Sequence, residues 1–177
     1  MNRLLGTLIL LAASTGIARA QAIFTADGPG SYTAVGGTFS MYQSDYGQRQ
    51  IEGSSAFLDA HLYRRIGVEA KASWLNFHTD ENVRQRTYLA GPKIALKGRT
   101  IRPYARFLAG RGEFDFPFGY AHGSYFVVAP GAGLDWRVAR SRLILRLVDV
   151  EYQVWPGFSF GAIHPYGIST GLSLRVW

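Results

Sequence analysis

The sequence predicts an all-β protein: an eight-stranded antiparallel up-and-down transmembrane β-barrel behind a cleaved signal peptide. Three observations predict it. Only 18% of the 177 residues are charged, against 14% aromatic residues, 47% hydrophobic residues and 21 glycines, a balance that suggests strands with an apolar outer surface. Eight segments alternate apolar with polar or small residues over roughly ten positions each, with turn residues between them. Beyond the leader, no apolar run approaches the ~18 residues of a membrane helix. A membrane-bound form of this chain must therefore be a closed barrel, the one strand architecture that satisfies every backbone group in lipid.

Residues 1–20 are read as the signal peptide. Asn2 and Arg3 open it, Leu4 to Ala13 is its apolar stretch, and Ala18-Arg19-Ala20 is an A-x-A cleavage site. Residues 21–177 form one barrel domain, with no linker or low-complexity stretch dividing it. The formal net charge is +7, and two of the positive charges, Arg3 and Arg19, leave with the leader. There is no cysteine, which excludes a disulfide framework, a Cys-ligated metal or cluster and a thiol nucleophile. Secretion without cysteine fits a bacterial envelope, and no lipobox cysteine invites a lipid anchor.

The segments are justified by their alternation. The first, 32–43, sets Val35, Phe39 and Met41 against Thr38, Ser40 and Tyr42. The second, 52–63, sets Ala56, Leu58, Ala60 and Leu62 against Asp59 and His61. The third, 66–77, opposes Val68, Ala70, Ala72 and Trp74 to Glu69, Lys71 and Ser73. In the fourth, 86–96, Tyr88, Ala90, Ile94 and Leu96 face away from Thr87, Gly91 and Lys93. The fifth, 101–112, opposes Ile101, Ala105, Phe107 and Ala109 to Arg102, Tyr104, Arg106 and Gly110. The sixth, 125–138, opposes Phe126, Val128, Ala132, Leu134 and Trp136 to Ala129, Gly131, Gly133 and Asp135. The eighth, 166–177, opposes Ile168, Leu172, Leu174 and Val176 to Gly167, Ser169, Gly171, Ser173 and Arg175.

The seventh segment, 143–154, is irregular: Asp149, Glu151 and Gln153 share one parity while Arg146 falls on the other. A β-bulge between 146 and 149 would return Arg146 to the acidic face. The alternative has Arg146 snorkelling to headgroups.

Connections alternate in length. The short ones, Tyr63-Arg64-Arg65, Lys97-Gly98-Arg99-Thr100 and Ala139-Arg140-Ser141-Arg142, are basic; the longer ones, 44–51, 78–85, 113–124 and 155–165, are richer in aromatic, Gly and His residues. Short turns at one rim and long loops at the other suit an outer-membrane barrel with its turns and both termini in the periplasm. Asp59, Glu69, Lys71, Lys93, Arg102, Arg106, Asp135 and Arg175 all lie opposite the apolar stripe and are read as a charge network in the lumen. The same face is crowded with Gly and Ser, as a narrow lumen requires. Trp74, Tyr88, Phe126, Tyr152 and Trp155, together with Tyr42 and Tyr166, are read as one aromatic girdle, and Trp136 and Trp177 as the other.

The chain ends in Ser169-x-Gly171-x-x-Leu174-x-Val176-Trp177, which looks like the β-signal read by the barrel-assembly machinery, with aliphatic residues in place of aromatics and one extra residue. The phrases Phe39-Ser40-Met41-Tyr42-Gln43-Ser44-Asp45-Tyr46-Gly47, Arg102-Pro103-Tyr104-Ala105-Arg106-Phe107-Leu108, Ala129-Pro130-Gly131-Ala132-Gly133-Leu134-Asp135-Trp136 and Asp149-Val150-Glu151-Tyr152-Gln153 resemble the OmpA/OmpX-like outer-membrane barrel domain proteins, in particular short stand-alone acidobacterial versions. The resemblance covers nearly all of the chain after the leader. It implies the fold and an integral outer-membrane location in a Gram-negative envelope, within a class that spans structural anchors, adhesion barrels and small pores.

The functional reading that follows is a structural or surface-interaction barrel with a narrow plugged lumen and no wide pore. It would be monomeric, with outer-membrane lipid, lipopolysaccharide and the assembly machinery as partners. No enzyme activity, cofactor, metal or nucleic acid is expected. Gly110-Arg111-Gly112 and Gly131-Ala132-Gly133 lie within strands and open no helix, so they are not nucleotide loops. The alternative is an enzyme resembling the lipid A palmitoyltransferase barrel, with a loop site drawn from His78, Asp80, His122, Ser124 and His164. A soluble secreted ligand-binding barrel, with its apolar face turned inward, is the third reading. Phe114, Phe116, Phe118 and Tyr120 in one long connection, and Trp155, Phe158, Phe160 and Tyr166 in the next, are expected on exposed loops, as girdle or as adhesive patch.

Overall fold

The computed structural model describes residues 31–45, 49–63, 65–76, 84–98, 100–115, 122–158 and 161–176. The leader, Trp177, and His78, Asp80, Phe116, Phe118, Tyr120 and Phe160 lie outside the described residues.

Eight strands run in order: β1 Tyr32–Ser44, β2 Arg49–Tyr63, β3 Ile66–Asn76, β4 Arg84–Ala95, β5 Ile101–Asp115, β6 His122–Arg137, β7 Leu143–Tyr152 and β8 Tyr166–Arg175. Each pairs antiparallel with its sequence neighbours, and β1 pairs with β8 from Gln43↔Tyr166 to Ala34↔Arg175, closing the barrel. Closure leaves no unpaired edge.

The apolar stripe faces outward on every strand. Val35, Phe39, Leu58, Val68, Ile94, Phe107, Phe126, Val150, Ile168, Leu172 and Leu174 are exposed, while Ser40, Asp59, Glu69, Lys71, Lys93, Arg106, Asp149 and Glu151 are buried. A water-soluble barrel has the opposite arrangement, so the third reading fails on the identity of the two faces. An outer surface of this kind removes its apolar groups from water only when hydrocarbon covers it.

The β7 register irregularity falls where the sequence alternation fails. On β7, Arg146 pairs with Gly171 and Asp149 with Ser169, so two residues, Leu147 and Val148, oppose the single Thr170. The extra residue shifts the parity, and Arg146 enters the lumen on the same face as Asp149 and Glu151, where its partners are Glu69 and Asp135. The Thr170 hydroxyl donates to the Arg146 carbonyl at 3.1 Å, inside the bulge.

Two of the expected long connections are reshaped. The β5–β6 hairpin runs on to Asp115↔His122, so Phe114 is a strand residue pointing inward and not a loop aromatic. After β7 the chain turns into the barrel mouth: Val154 bridges Val128, and Trp155 bridges Ile163. Trp155 and Phe158 are buried there with Phe114, Leu89, Leu108, Val127, Ala129 and Ile163. This apolar cluster lies on the loop side of the barrel.

Inner glycines make room for lumen aromatics. A Cβ on Gly133 would meet the Val148 carbonyl, and would stand 2.5 Å from the Tyr104 hydroxyl and 2.6 Å from its ring. Gly133→Ala is therefore expected to cost about 1–3 kcal/mol through overpacking. Urea unfolding in detergent measures it, and an unchanged midpoint would mean that Tyr104 does not pack on the β6 backbone.

Candidate functional site

The lumen is built from strand parity and depth. At mid-height, β3, β4, β5 and β7 each deliver a cation or a carboxylate to the axis from residues that alternate with lipid-facing aliphatics. Glu69 on β3 is the centre. It accepts from Arg106 in a short contact, from Arg146 Nη1 and Nη2 at 3.2 and 2.8 Å, and from Lys93 at 3.2 Å. Lys93 also reaches Asp59 at 2.6 Å and Asp135 at 3.2 Å. Arg106 Nη2 lies 2.6 Å from both Asp149 and Glu151, and Lys71 lies 2.9 Å from Glu151. Arg146 Nε meets Asp135 at 3.3 Å, and its guanidinium lies over the Phe57 ring at 3.8 Å.

Neutral donors complete the carboxylates. Tyr42 donates to Glu151 at 2.7 Å, Tyr104 to Asp149 at 2.8 Å, and Gln153 to Glu151 at 2.8 Å. The Gln153 carbonyl accepts from Gln85 and from the Trp155 indole, each at 3.0 Å, and so links the charged layer to the apolar cap. Hydroxyls of Ser169, Ser40, Ser55 and Ser73 run across β8, β1, β2 and β3 at 2.8–3.2 Å. Charges removed from water are tolerated only when paired and hydrogen-bonded. Each network charge has an ion-pair partner, while Asp59 Oδ1 and Arg106 Nε are left without a hydrogen bond among the described residues.

Of the eight charges read as lumen residues, Asp59, Glu69, Lys71, Lys93, Arg106 and Asp135 come together. Arg102 and Arg175 share their parity but sit nearer the short-turn rim. Arg102 makes no ion pair among the described residues, and Arg175 donates to the Ser141 carbonyl at 3.3 Å. Sequence reasoning left Arg146, Asp149 and Glu151 out of the network, although the bulge it favoured brings them in.

Of the girdle residues, Trp74, Tyr88, Phe126, Trp136 and Tyr152 are exposed on the outer face, with Trp74 and Tyr88 edge to face at 6.5 Å. Trp155 and Tyr42 are corrections, since both are buried in the lumen. Trp155 follows Asp149, Glu151 and Gln153 on the inward parity, and Tyr42 stands over Gly167 and holds Glu151. Of the assembly residues, Ser169 points inward to Ser40, Gly171 lies against Gly37 and Thr38 of β1, and Leu174 and Val176 face outward. His61 stacks on Tyr32 at 4.7 Å and stands 3.8 Å from Asp59. His164 stacks on Tyr152, and its backbone N–H donates to Asp45 at 2.9 Å. Ser124 is on the outer face of β6, paired with Glu113.

No protein-family description matches the chain, and neither does any curated protein sequence. Solved structures do match in fold. Neisserial surface protein A superposes with a TM-score of 0.67 at 9% identity, over 83% of this chain and 97% of that one. OprG, an outer membrane protein of Pseudomonas aeruginosa, gives 0.58 at 10% identity, over 84% and 96%. Ail, the attachment invasion locus protein of Yersinia pestis, gives 0.55 at 18% identity, over 82% and 97%. The chain thus has the fold of outer-membrane β-barrels.

Proposed function

We propose that this chain is an integral protein of the bacterial outer membrane: a single plugged barrel whose work is done at its surface, as an anchor or an interaction platform, and not through its lumen. The observation that carries the reading is the inversion of the barrel. Apolar side chains cover the outside, while the inside is a packed ion-pair network under an apolar cap. Lipid and lipopolysaccharide would meet the outer face, and the assembly machinery would read the last strand. The fold neighbours support the surface role in one respect, since one is called a surface protein and another an attachment invasion protein.

The test is expression with the leader intact, followed by envelope fractionation. The barrel is expected in the outer-membrane fraction, with a gel mobility that shifts only on boiling. In planar bilayers it is expected to give no porin-like conductance steps. Recovery in the soluble periplasmic fraction would overturn the location, and large steady steps would overturn the plug.

A further inference from the structure

Arginines gather at the short-turn mouth of the barrel. Arg137 at the end of β6, Arg140 and Arg142 in the turn that follows, and Arg175 at the end of β8 line a cavity of about 520 Å³ together with Thr100. Arg102 does not line the cavity; it stands opposite Asp135 in the β5–β6 register without an ion pair to it, one inward position from Arg137, whose backbone N–H donates to the Thr100 carbonyl. Among the described residues, no carboxylate lines the cavity. The nearest lumen acids are engaged elsewhere, Asp59 by Lys93 and Asp135 by Lys93 and Arg146.

The donors at this mouth are left over. Arg102 is 5% exposed, yet its Nε and Nη1 have no acceptor among the described residues, and the same holds for Nε and Nη2 of Arg137. Arg137 instead lies over the Tyr32 ring at 5.1 Å. Arg140 is held at φ 59°, in the left-handed region that L-residues seldom occupy and that turns usually give to Gly or Asn. Guanidinium groups crowded on one rim repel one another, and buried N–H groups without acceptors are costly. One bound oxyanion relieves both.

We infer that this cavity binds a phosphoryl-bearing anion. Guanidinium forks match phosphate oxygens two at a time. Several cations on one cavity call for more than a single negative charge, and the volume admits a phosphate ester or a pyrophosphate and not only a bare phosphate. The ligand comes either free from the aqueous side or as the headgroup of an anionic lipid at the rim.

Two arms separate these sources. In the first, the refolded barrel in nonionic detergent is titrated calorimetrically with pyrophosphate. In the second, thermal unfolding is compared in phosphatidylcholine nanodiscs with and without phosphatidylglycerol. Saturable heat with pyrophosphate assigns a free phosphoryl ligand; stabilisation seen only with phosphatidylglycerol assigns a headgroup. In either case R137Q/R175Q is expected to weaken the response by about tenfold to a hundredfold, the worth of one or two charge-assisted hydrogen bonds. Should that variant not refold, R140Q/R142Q, altered only on the exposed turn, replaces it. The boiling-dependent gel shift of the same preparations reports the barrel separately from the site. Silence in both arms, or a variant that responds like wild type, overturns the inference.

Discussion

Glu69→Ala is expected to lower the unfolding free energy of the barrel by about 3–5 kcal/mol, the cost of breaking a buried ion pair by removing one partner. Five carboxylates (Asp59, Glu69, Asp135, Asp149 and Glu151) meet four cations (Lys71, Lys93, Arg106 and Arg146) in the lumen. Removing Glu69 makes the numbers equal, so a bare charge count predicts little harm. Geometry predicts otherwise, because Glu69 touches three of the four cations. Arg106→Ala is expected to cost at least as much, since it leaves Glu69, Asp149 and Glu151 together without their shared partner. Urea unfolding in zwitterionic detergent measures both. The pair E69A and R146A should be strongly non-additive, because each removes what the other would leave unpaired. An unchanged midpoint for E69A would place Glu69 in free solvent and would reverse the inside and outside of the barrel.

The same alternation explains how much of the lumen the sequence reveals. A strand has two faces, so one charged residue among aliphatics at the opposite parity marks the inner face of the whole segment. Glu69 and Lys71 among Val68, Ala70 and Ala72 are legible for that reason. Parity says nothing about depth. Arg102 and Arg175 have the same inward signature as Arg106, but they stand at the ends of their strands, and the register with neighbouring strands places them at the rim.

Arg146 is legible only through the bulge, which its three-residue spacing from Asp149 marks as one extra residue. Trp155 and Phe114 carried a signal too. Trp155 continues the inward series 149, 151, 153, and Phe114 continues the series 102, 104, 106, 110, 112. Phe114 falls outside the predicted fifth segment because β5 runs three residues beyond 112, whereas Trp155 lies past the end of β7, in an isolated bridge to Ile163. Phe158 has no such signal, since it lies past a Pro-Gly turn where strand parity no longer applies.

Trp155→Ala is expected to cost about 3–5 kcal/mol, as large aromatic truncations in packed cores do. The ring packs edge to face on Phe114 at 6.1 Å and tilts against Tyr125 at 6.2 Å. Its indole N–H holds Gln153, whose amide in turn holds Glu151. Truncation therefore opens a cavity in the apolar cap and frees a donor-acceptor relay above the charged layer. Trp155→Phe keeps most of the volume but loses the hydrogen bond, and is expected to cost about 1–2 kcal/mol. Fluorescence distinguishes this position from a girdle position without unfolding the protein. Lipids brominated on their acyl chains should quench Trp74 and Trp136, which face outward, and spare Trp155. The quenchable fraction should then rise in Trp155→Phe, because an unquenched emitter has been removed. A fall in that fraction, together with a midpoint unchanged in Trp155→Ala, would return Trp155 to the lipid interface and leave the barrel mouth open on its loop side.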